Sequence, residues 1–353
     1  MLSMNGVIYC STSMRIGING FGRIGRLVFR ALWGRPGIDI VHVNDCAGDA
    51  AAAAHLLHFD SVHGRWQHEV RPHSMGFLVG DKEVRYSSES DPVSASWIES
   101  GVEMLLECSG KFKTSDSLQL FLVALKLKRI LVACPVKGSV DDVEILNIVY
   151  GINHQLYDPN RHSVLTAASC TTNCLAPIVQ VVHNSFGIKH GSITTLHDVT
   201  NTQVIVDGFH NDLRRARSCI QSVIPTTTGS AKAIGLIFPE LEGKLNGHAV
   251  RIPLLNASLT DAVFELEKEV SVEDVNGAFE AAANGELRGI LGYETRPLVS
   301  VDYVNDNRST IVDALSTMVI NGTQVKIYAW YDNEWGYSSR MADLACHVVS
   351  LEE

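Results

Sequence analysis

The sequence predicts an α/β protein whose first half is a doubly wound parallel sheet. Three observations carry this. A short apolar strand at 15–19 runs through a glycine turn into an amphipathic segment at 26–32. Further apolar strands, at 38–44, 104–108 and 129–133, alternate with helical stretches, the pattern of a parallel sheet covered by helices on both faces. The 353 residues, 46% of them hydrophobic, are enough for about two domains.

The first of these elements is the most informative. Arg15-Ile-Gly-Ile-Asn19 is followed by Gly20-Phe-Gly22-Arg23-Ile24-Gly25. Glycines at this spacing allow a tight turn and let the backbone approach a pyrophosphate seated on the positive end of a helix. The second strand, Ile38 to Asn44, delivers Asp45 twenty residues beyond Gly25. A carboxylate there accepts from both ribose hydroxyls and repels a 2′-phosphate, which favours NAD over NADP. The whole unit therefore reads as a Rossmann-type dinucleotide domain. The strands at 104–108 and 129–133 end at Ser109-Gly110 and Cys134-Pro135, where loops of such sheets meet ligands.

Composition excludes several classes. A formal charge of -10 argues against nucleic acid or an anionic membrane as the main partner. Arg214-Arg215-Ala-Arg217 is too short a basic cluster to change that, and reads as a solvated face or an anion contact. No apolar run reaches the roughly twenty residues of a bilayer span. Residues 1–13 lack the order of a secretory signal and read as an extension before the first strand. Eight scattered cysteines fit reduced thiols in the cytoplasm, and no metal-ligand spacing is present.

The second half carries reactive residue types. Ala168 to Pro177 places Cys170 before Leu175, Ile178, Val179, Val182 and Phe186, the spacing of a buried helix. At that helix's N-terminus, unpaired N–H groups would favour thiolate; Pro177 leaves the helix start uncertain by a turn. A core cysteine, or a disulfide or metal pair with Cys174, are the other readings. Ser192 to Leu196 is an apolar strand delivering His197, which could activate a thiol or serve only structure. Thr226-Thr-Thr228-Gly229-Ser230, entering a helix, offers hydroxyls and N–H groups to an anion. Arg251, in an apolar strand, calls for an anion or a salt-bridge partner.

Asn19 to Arg26, Ser169 to Pro177, Pro225 to Gly229 and Trp330-Tyr-Asp-Asn-Glu-Trp-Gly-Tyr337 together resemble phosphorylating glyceraldehyde-3-phosphate dehydrogenases. The resemblance extends from Met14 to the C-terminus. It implies Cys170 as nucleophile and His197 as base. Ser169, Thr171, Thr228 and Gly229 would line the inorganic phosphate site, while Thr200 and Arg251 bind the phosphate of glyceraldehyde 3-phosphate. NAD would be held by the Gly20, Gly22 and Gly25 turn with Arg23, Ile24, Asp45, Ser109 and, at the nicotinamide, Asn333. It also implies a Rossmann domain over 14–169 closed by a C-terminal helix at 334–353, and an α+β catalytic domain with a mixed sheet over 170–333. The segment 198–221 resembles the loop through which such subunits form homotetramers.

Glu107-Cys-Ser-Gly-Lys-Phe112, Ala133-Cys-Pro-Val136, His197-Asp198-Val199, Gly247 to Ser258 and Thr323 to Tyr328 depart from the common forms. They resemble the branch of the family associated with arsenate resistance. Arsenate would there replace phosphate and give 1-arseno-3-phosphoglycerate. A housekeeping glycolytic or gluconeogenic enzyme and an erythrose-4-phosphate dehydrogenase are the alternatives.

Overall fold

The computed structural model describes residues 13–352, so the extension expected at 1–13 lies, apart from Ser13, outside the described residues. The chain divides into two compact units. The first comprises residues up to Asn147, with Gln155–Ala167 and Met341–Glu353; the second comprises Ile148–His154 and Ala168–Arg340.

In the first unit, strands β1 (Met14–Asn19), β2 (Ile38–Asn44), β3 (Val70–His73), β4 (Gly76–Val79), β5 (Lys82–Ser87), β6 (Met104–Glu107) and β7 (Arg129–Val132) are followed by a small hairpin, β8 (Ser139–Val140) and β9 (Val143–Glu144). Strands β10 (Leu146–Asn147) and β11 (Val164–Thr166) complete the main sheet, whose order is β10-β11-β7-β6-β1-β2-β5-β4-β3. From β10 to β5 every pairing is parallel. The sheet departs from the expected all-parallel form at one edge, where β5, β4 and β3 form an antiparallel meander joined by tight turns. Helices α1 (Arg23–Leu32), α2 (Ala50–His58) and α3 (Ser115–Leu125) connect the strands. Helix α1 begins one turn before the amphipathic segment, because Gly22 is its N-cap. Helix α2 starts where the alanine run does, with the Asp49 carboxylate accepting from the Ala52 N–H.

In the second unit, helix α4 (Cys170–Phe186) leads into β12 (Ile188–His197). Then come β13 (Ile224–Thr227), α5 (Ser230–Ile237), β14 (Leu245–Arg251), β15 (Ser258–Leu266), α6 (Val272–Asn284), β16 (Leu291–Glu294), β17 (Thr310–Asp313), β18 (Met318–Ile320) and β19 (Gln324–Tyr331). The eight strands form one sheet ordered β13-β14-β12-β15-β19-β17-β16, with β18 beside β19. It is mixed: β12–β14 and β16–β17 are parallel and the other pairs antiparallel. Strand β15 alternates strictly between buried and half-buried residues, as expected of a strand with one face on the core. Leu175, Ile178, Val179 and Val182 of α4 are fully buried and share a core with Phe264, Val325 and Ile327 of the sheet. Val149 belongs to that core too, which draws Ile148–His154 into the second unit. The last helix, α7 (Trp335–Ser350), starts in the second unit and ends in the first.

Candidate active site

The glycine turn of the first unit is shaped for close approach. A Cβ on Gly20 would lie 2.4 Å from the Ser109 nitrogen, and Gly20 has φ +90, a conformation that suits glycine. A Cβ on Gly25 would meet the Gly20 carbonyl oxygen at 2.0 Å, whereas one on Gly22 would meet nothing within 4 Å. Thus Gly20 and Gly25 are packing glycines, and Gly22 opens onto a cavity of about 220 Å³ that also includes Asn19, Asp45 and Ser109. No side chain caps the first turn of α1, so its N-terminus, at Arg23 and Ile24, is suited to a pyrophosphate.

Asp45 reaches the same cavity. Its Oδ2 accepts from the Phe21 N–H at 2.6 Å and its Oδ1 from the Ala47 N–H at 2.8 Å. A carboxylate has about four acceptor sites, so both oxygens can still accept from a diol. The Arg23 guanidinium is paired with Asp60 at 2.5 Å, which leaves the backbone of Arg23 as its contribution. Glu107, to which the sequence alone assigns no role beyond its place in a departing loop, is 1% exposed. It accepts from the Asn19 side chain and from the Ser109 N–H and hydroxyl at 2.5 to 2.7 Å, fixing Ser109 at the cavity wall. The glycine clearances, the cavity and the free acceptor capacity of Asp45 all fit a dinucleotide.

In the second unit, Ser169 resolves where the cysteine helix starts. Its Oγ accepts from the Thr172 N–H at 3.1 Å as the N-cap of α4, so Cys170 is the first helical residue. The helix continues through Pro177 at the loss of one ladder bond. Before it, Ala168 is held at φ +52, which costs a non-glycine residue about 1–2 kcal/mol, and its carbonyl accepts from the Tyr337 hydroxyl at 3.1 Å. Cys174 is a core residue. It is fully buried, its thiol lies 3.3 Å from the Thr310 hydroxyl and 3.4 Å from that of Thr260, and burial pushes its pKa to about 12. The seven described cysteines are all free.

Cys170 differs from Cys174 because His197 faces it. Its Sγ lies 3.7 Å from His197 Nε2. Burial pushes the Cys170 thiol up, but the hydrogen bond and charge of His197 outweigh it and hold the group below the ordinary thiol value. On the histidine, burial works against the charged form, while Asp198 and then Cys170 favour it, and the pKa rises to about 9. These shifts describe a thiolate–imidazolium pair.

The other side of His197 is crowded. His197 and Arg251 are register partners on the parallel strands β12 and β14, so both extend from the same face of the sheet. Arg251 Nη1 lies 2.7 Å from His197 Nδ1 and donates to the Asp198 carbonyl at 3.0 Å. It makes these contacts in place of the carboxylate partner that a structural salt bridge would need. Its buried Nε has no hydrogen-bond partner among the described residues, and burial first, then the charge of Arg215, disfavours its own charge. Two cations close enough to feel each other's charge, one of them with an orphan donor, suit an anion.

Hydroxyls lie beside Cys170. Ser169 Oγ is 3.3 Å from Ser230 Oγ, and Thr228 Oγ1 is 3.1 Å from the same atom. This links the start of α4 to that of α5, where Gly229 is the N-cap with no side-chain bond. Ser230 was noticed in sequence only as part of a run; its role in joining the two helix starts depends on the tertiary fold. The Thr171 hydroxyl is instead engaged with the Tyr331 hydroxyl at 2.9 Å, outside this cluster. Thr200 Oγ1 is 2.9 Å from Thr202 Oγ1, and Arg215 donates to Thr202 at 3.2 Å. The Asn333 carbonyl oxygen accepts from Ser258 Oγ at 3.0 Å, and its side chain also favours the charged form of the Asp198 carboxylate by hydrogen bonding.

Comparison with known proteins agrees with these arrangements. Residues 169–333 match the family model described as the glyceraldehyde 3-phosphate dehydrogenase C-terminal domain, and residues 14–115 match that of the NAD binding domain. The chain is 57% identical over 337 residues to glyceraldehyde-3-phosphate dehydrogenase 3 of Nostoc, covering 95% of this chain and 98% of the relative. It is 51% identical to glyceraldehyde-3-phosphate dehydrogenase of Geobacillus stearothermophilus, covering 96% and 99% respectively. Glyceraldehyde-3-phosphate dehydrogenase 1 of Bacillus cereus is 49% identical, with coverage of 95% and 98%. The chain, with its NAD-binding first domain and its cysteine–histidine second domain, belongs to the glyceraldehyde-3-phosphate dehydrogenase family.

Proposed function

We propose that the protein catalyses the NAD-dependent oxidative phosphorylation of D-glyceraldehyde 3-phosphate to 1,3-bisphosphoglycerate. The observation that carries this reading is the 3.7 Å approach of Cys170 Sγ to His197 Nε2 at the start of α4, in a chain of this family.

The chemistry follows from the residues. The Cys170 thiolate attacks the aldehyde carbon and forms a thiohemiacetal, whose developing oxyanion is met by the Cys170 N–H at the helix start. The His197 imidazolium gives its Nε2 proton to that oxyanion, and the neutral imidazole so formed takes the hydroxyl proton back at Nε2 as the carbon is oxidised. Bound NAD supplies the hydride acceptor. The Cys170 thioester keeps the oxidation energy until an oxyanion held by Ser169, Thr228 and Gly229 attacks the acyl carbon, releasing the thiolate and an acyl phosphate. Thr200 and Arg251 hold the substrate's own phosphate, and Asn333 takes the nicotinamide amide.

The attacking anion is a tetrahedral oxyanion. Arsenate as the physiological one, yielding 1-arseno-3-phosphoglycerate, is supported by the sequence variants at 107–112 and 197–199. The ratio of the specificity constants for arsenate and phosphate, measured beside a housekeeping enzyme, tests it; a ratio no higher than that enzyme's would remove the arsenate role.

We also propose a homotetramer. Residues 198–223 form neither helix nor strand, and Ile205, Val206, Phe209, Leu213, Ile220 and Val223 are all more than 60% exposed in the single chain, an apolar surface that suits a subunit interface. A monomer by light scattering would contradict it. No helix among the described residues is long and apolar enough to cross a membrane, and the free thiols fit a cytoplasmic enzyme.

The catalytic reading is tested with C170S. It should bind NAD and form no NADH from glyceraldehyde 3-phosphate; retained NADH formation would refute the nucleophile.

A further inference from the structure

Two carbonyl-side groups compete for one nitrogen of the base. Asp198 Oδ1 is 2.7 Å from His197 Nδ1, and the Asp198 main-chain oxygen is 2.9 Å from it. Both oxygens accept, so both distances are hydrogen-bonding ones when Nδ1 carries a proton. Arg251 Nη1, at 2.7 Å from the same nitrogen, can only donate, so it bonds Nδ1 only when that nitrogen is bare. The protonation state of Nδ1 therefore decides which neighbour it binds.

Asp198 is built into this position. It is 1% exposed, and a buried carboxylate is costly unless a cation or donors meet it. Its main-chain N–H donates to Ser258 Oγ at 3.2 Å, and that hydroxyl donates on to Asn333 Oδ1 at 3.0 Å. Ser258 also lies 3.5 Å from Asp198 Oδ1. The residue is thus held from β15 and from the loop after β19 while its carboxylate faces the ring. Besides Asp198, the ionisable groups around His197 are Cys170 from α4, Arg251 from β14 and Tyr331 from β19, whose ring centre lies 6.3 Å away, and Glu334 adds a like charge acting on Asp198. The Tyr331 hydroxyl is committed to Thr171. Among these, only Asp198 places a carboxylate on Nδ1.

Resting on the Cys170–His197 reading above, we propose that Asp198 is a positioning residue that completes a cysteine–histidine–aspartate arrangement. Its carboxylate accepts a hydrogen bond from the Nδ1–H, so Nε2 is the nitrogen turned to Cys170 and the imidazolium is stabilised beside the thiolate. A third group that orients the base in this way is the general logic of activated nucleophiles. Arg251 keeps its bond to the Asp198 carbonyl, with its remaining donors available to an anion.

The test uses the whole protein and iodoacetamide as probe, following the rate of Cys170 alkylation against pH. Without Asp198 the histidine loses its proton at lower pH, before the thiol ionises, so the thiolate forms later. D198A should move the alkylation midpoint up by about one pH unit, a rate loss of about ten-fold on the acidic side. D198N, nearly isosteric and able to accept a hydrogen bond from the Nδ1–H without the charge, should fall between D198A and the parent. Both should lower kcat by about ten-fold or more while the KM for glyceraldehyde 3-phosphate changes little. NAD binding and thermal unfolding report folding, and D198N keeps the test available should D198A fail to fold. An unchanged alkylation profile in folded D198N and D198A would overturn the proposal, whereas NADH formation by C170S would overturn the reading on which it rests.

Discussion

His197 and Arg251 are register partners on adjacent parallel strands, and this pairing sets the Arg251 guanidinium 2.7 Å from the imidazole. On the proposed function, one strand would supply the base and its neighbour the ligand for the substrate's phosphate. R251M should raise the KM for glyceraldehyde 3-phosphate by about ten-fold or more, the scale of one charge-assisted hydrogen bond of about 1.5–3 kcal/mol, with NAD affinity unchanged. Steady-state kinetics with glyceraldehyde 3-phosphate as the varied substrate check this, and an unaltered KM would remove Arg251 from the substrate's phosphate site.

The two cysteines of α4 should behave oppositely. Cys170 is held below the ordinary thiol value and Cys174 is raised to about 12. In the native protein, iodoacetamide at neutral pH should label Cys170 and spare Cys174, as peptide mass spectrometry would show. In H197N the Cys170 pKa should rise, because the imidazolium that opposes its burial is gone, and labelling should retreat to alkaline pH. Equal labelling of parent and H197N across neutral pH would contradict the ion pair.

The cofactor site offers a steric prediction. In G20A the new methyl would meet the Ser109 nitrogen at 2.4 Å from a backbone at φ +90. The strain alone costs about 1–3 kcal/mol, and relieving the clash displaces Ser109. Thermal unfolding should move down and NAD binding, followed by calorimetry, should weaken at least ten-fold. G22A should be milder, since its Cβ meets nothing within 4 Å; matched losses in the two variants would refute the distinction.

Cofactor selectivity should depend on Asp45. Replacing it with glycine removes the charge that would repel a 2′-phosphate and the acceptors of the Phe21 and Ala47 N–H groups. The ratio of kcat/KM for NAD to that for NADP should fall by about ten-fold or more, in line with about 1.4 kcal/mol or more of lost discrimination. A constant ratio would place the discrimination elsewhere.

Much of this was legible in the sequence because it is local. The turn from Gly20 to Gly25, the strand ending at Asp45 and the apolar stripe of α4 are each written within thirty residues, where periodicity and glycine spacing act directly. The antiparallel meander β3-β4-β5 was not, since its strands are short and their periodicity is weak. Asp198 stood in plain view as a departure beside His197, yet its contact with Nδ1 depends on Ser258, sixty residues onward. The juxtaposition of Arg251 with His197 depends on a strand register, and that of Ser230 with Ser169 on the packing of two helix starts. Glu107 was quoted within its loop, but its hold on Asn19 and Ser109 needs two neighbouring strands.

The most direct test of the central claim is the initial rate of NADH formation from glyceraldehyde 3-phosphate and NAD, with phosphate titrated, in the parent and in C170S. Phosphate-dependent turnover in the parent, and none in a C170S protein that still binds NAD, is the predicted result. NADH formed at comparable rates by C170S, or none formed by the folded parent at any phosphate concentration, would contradict it.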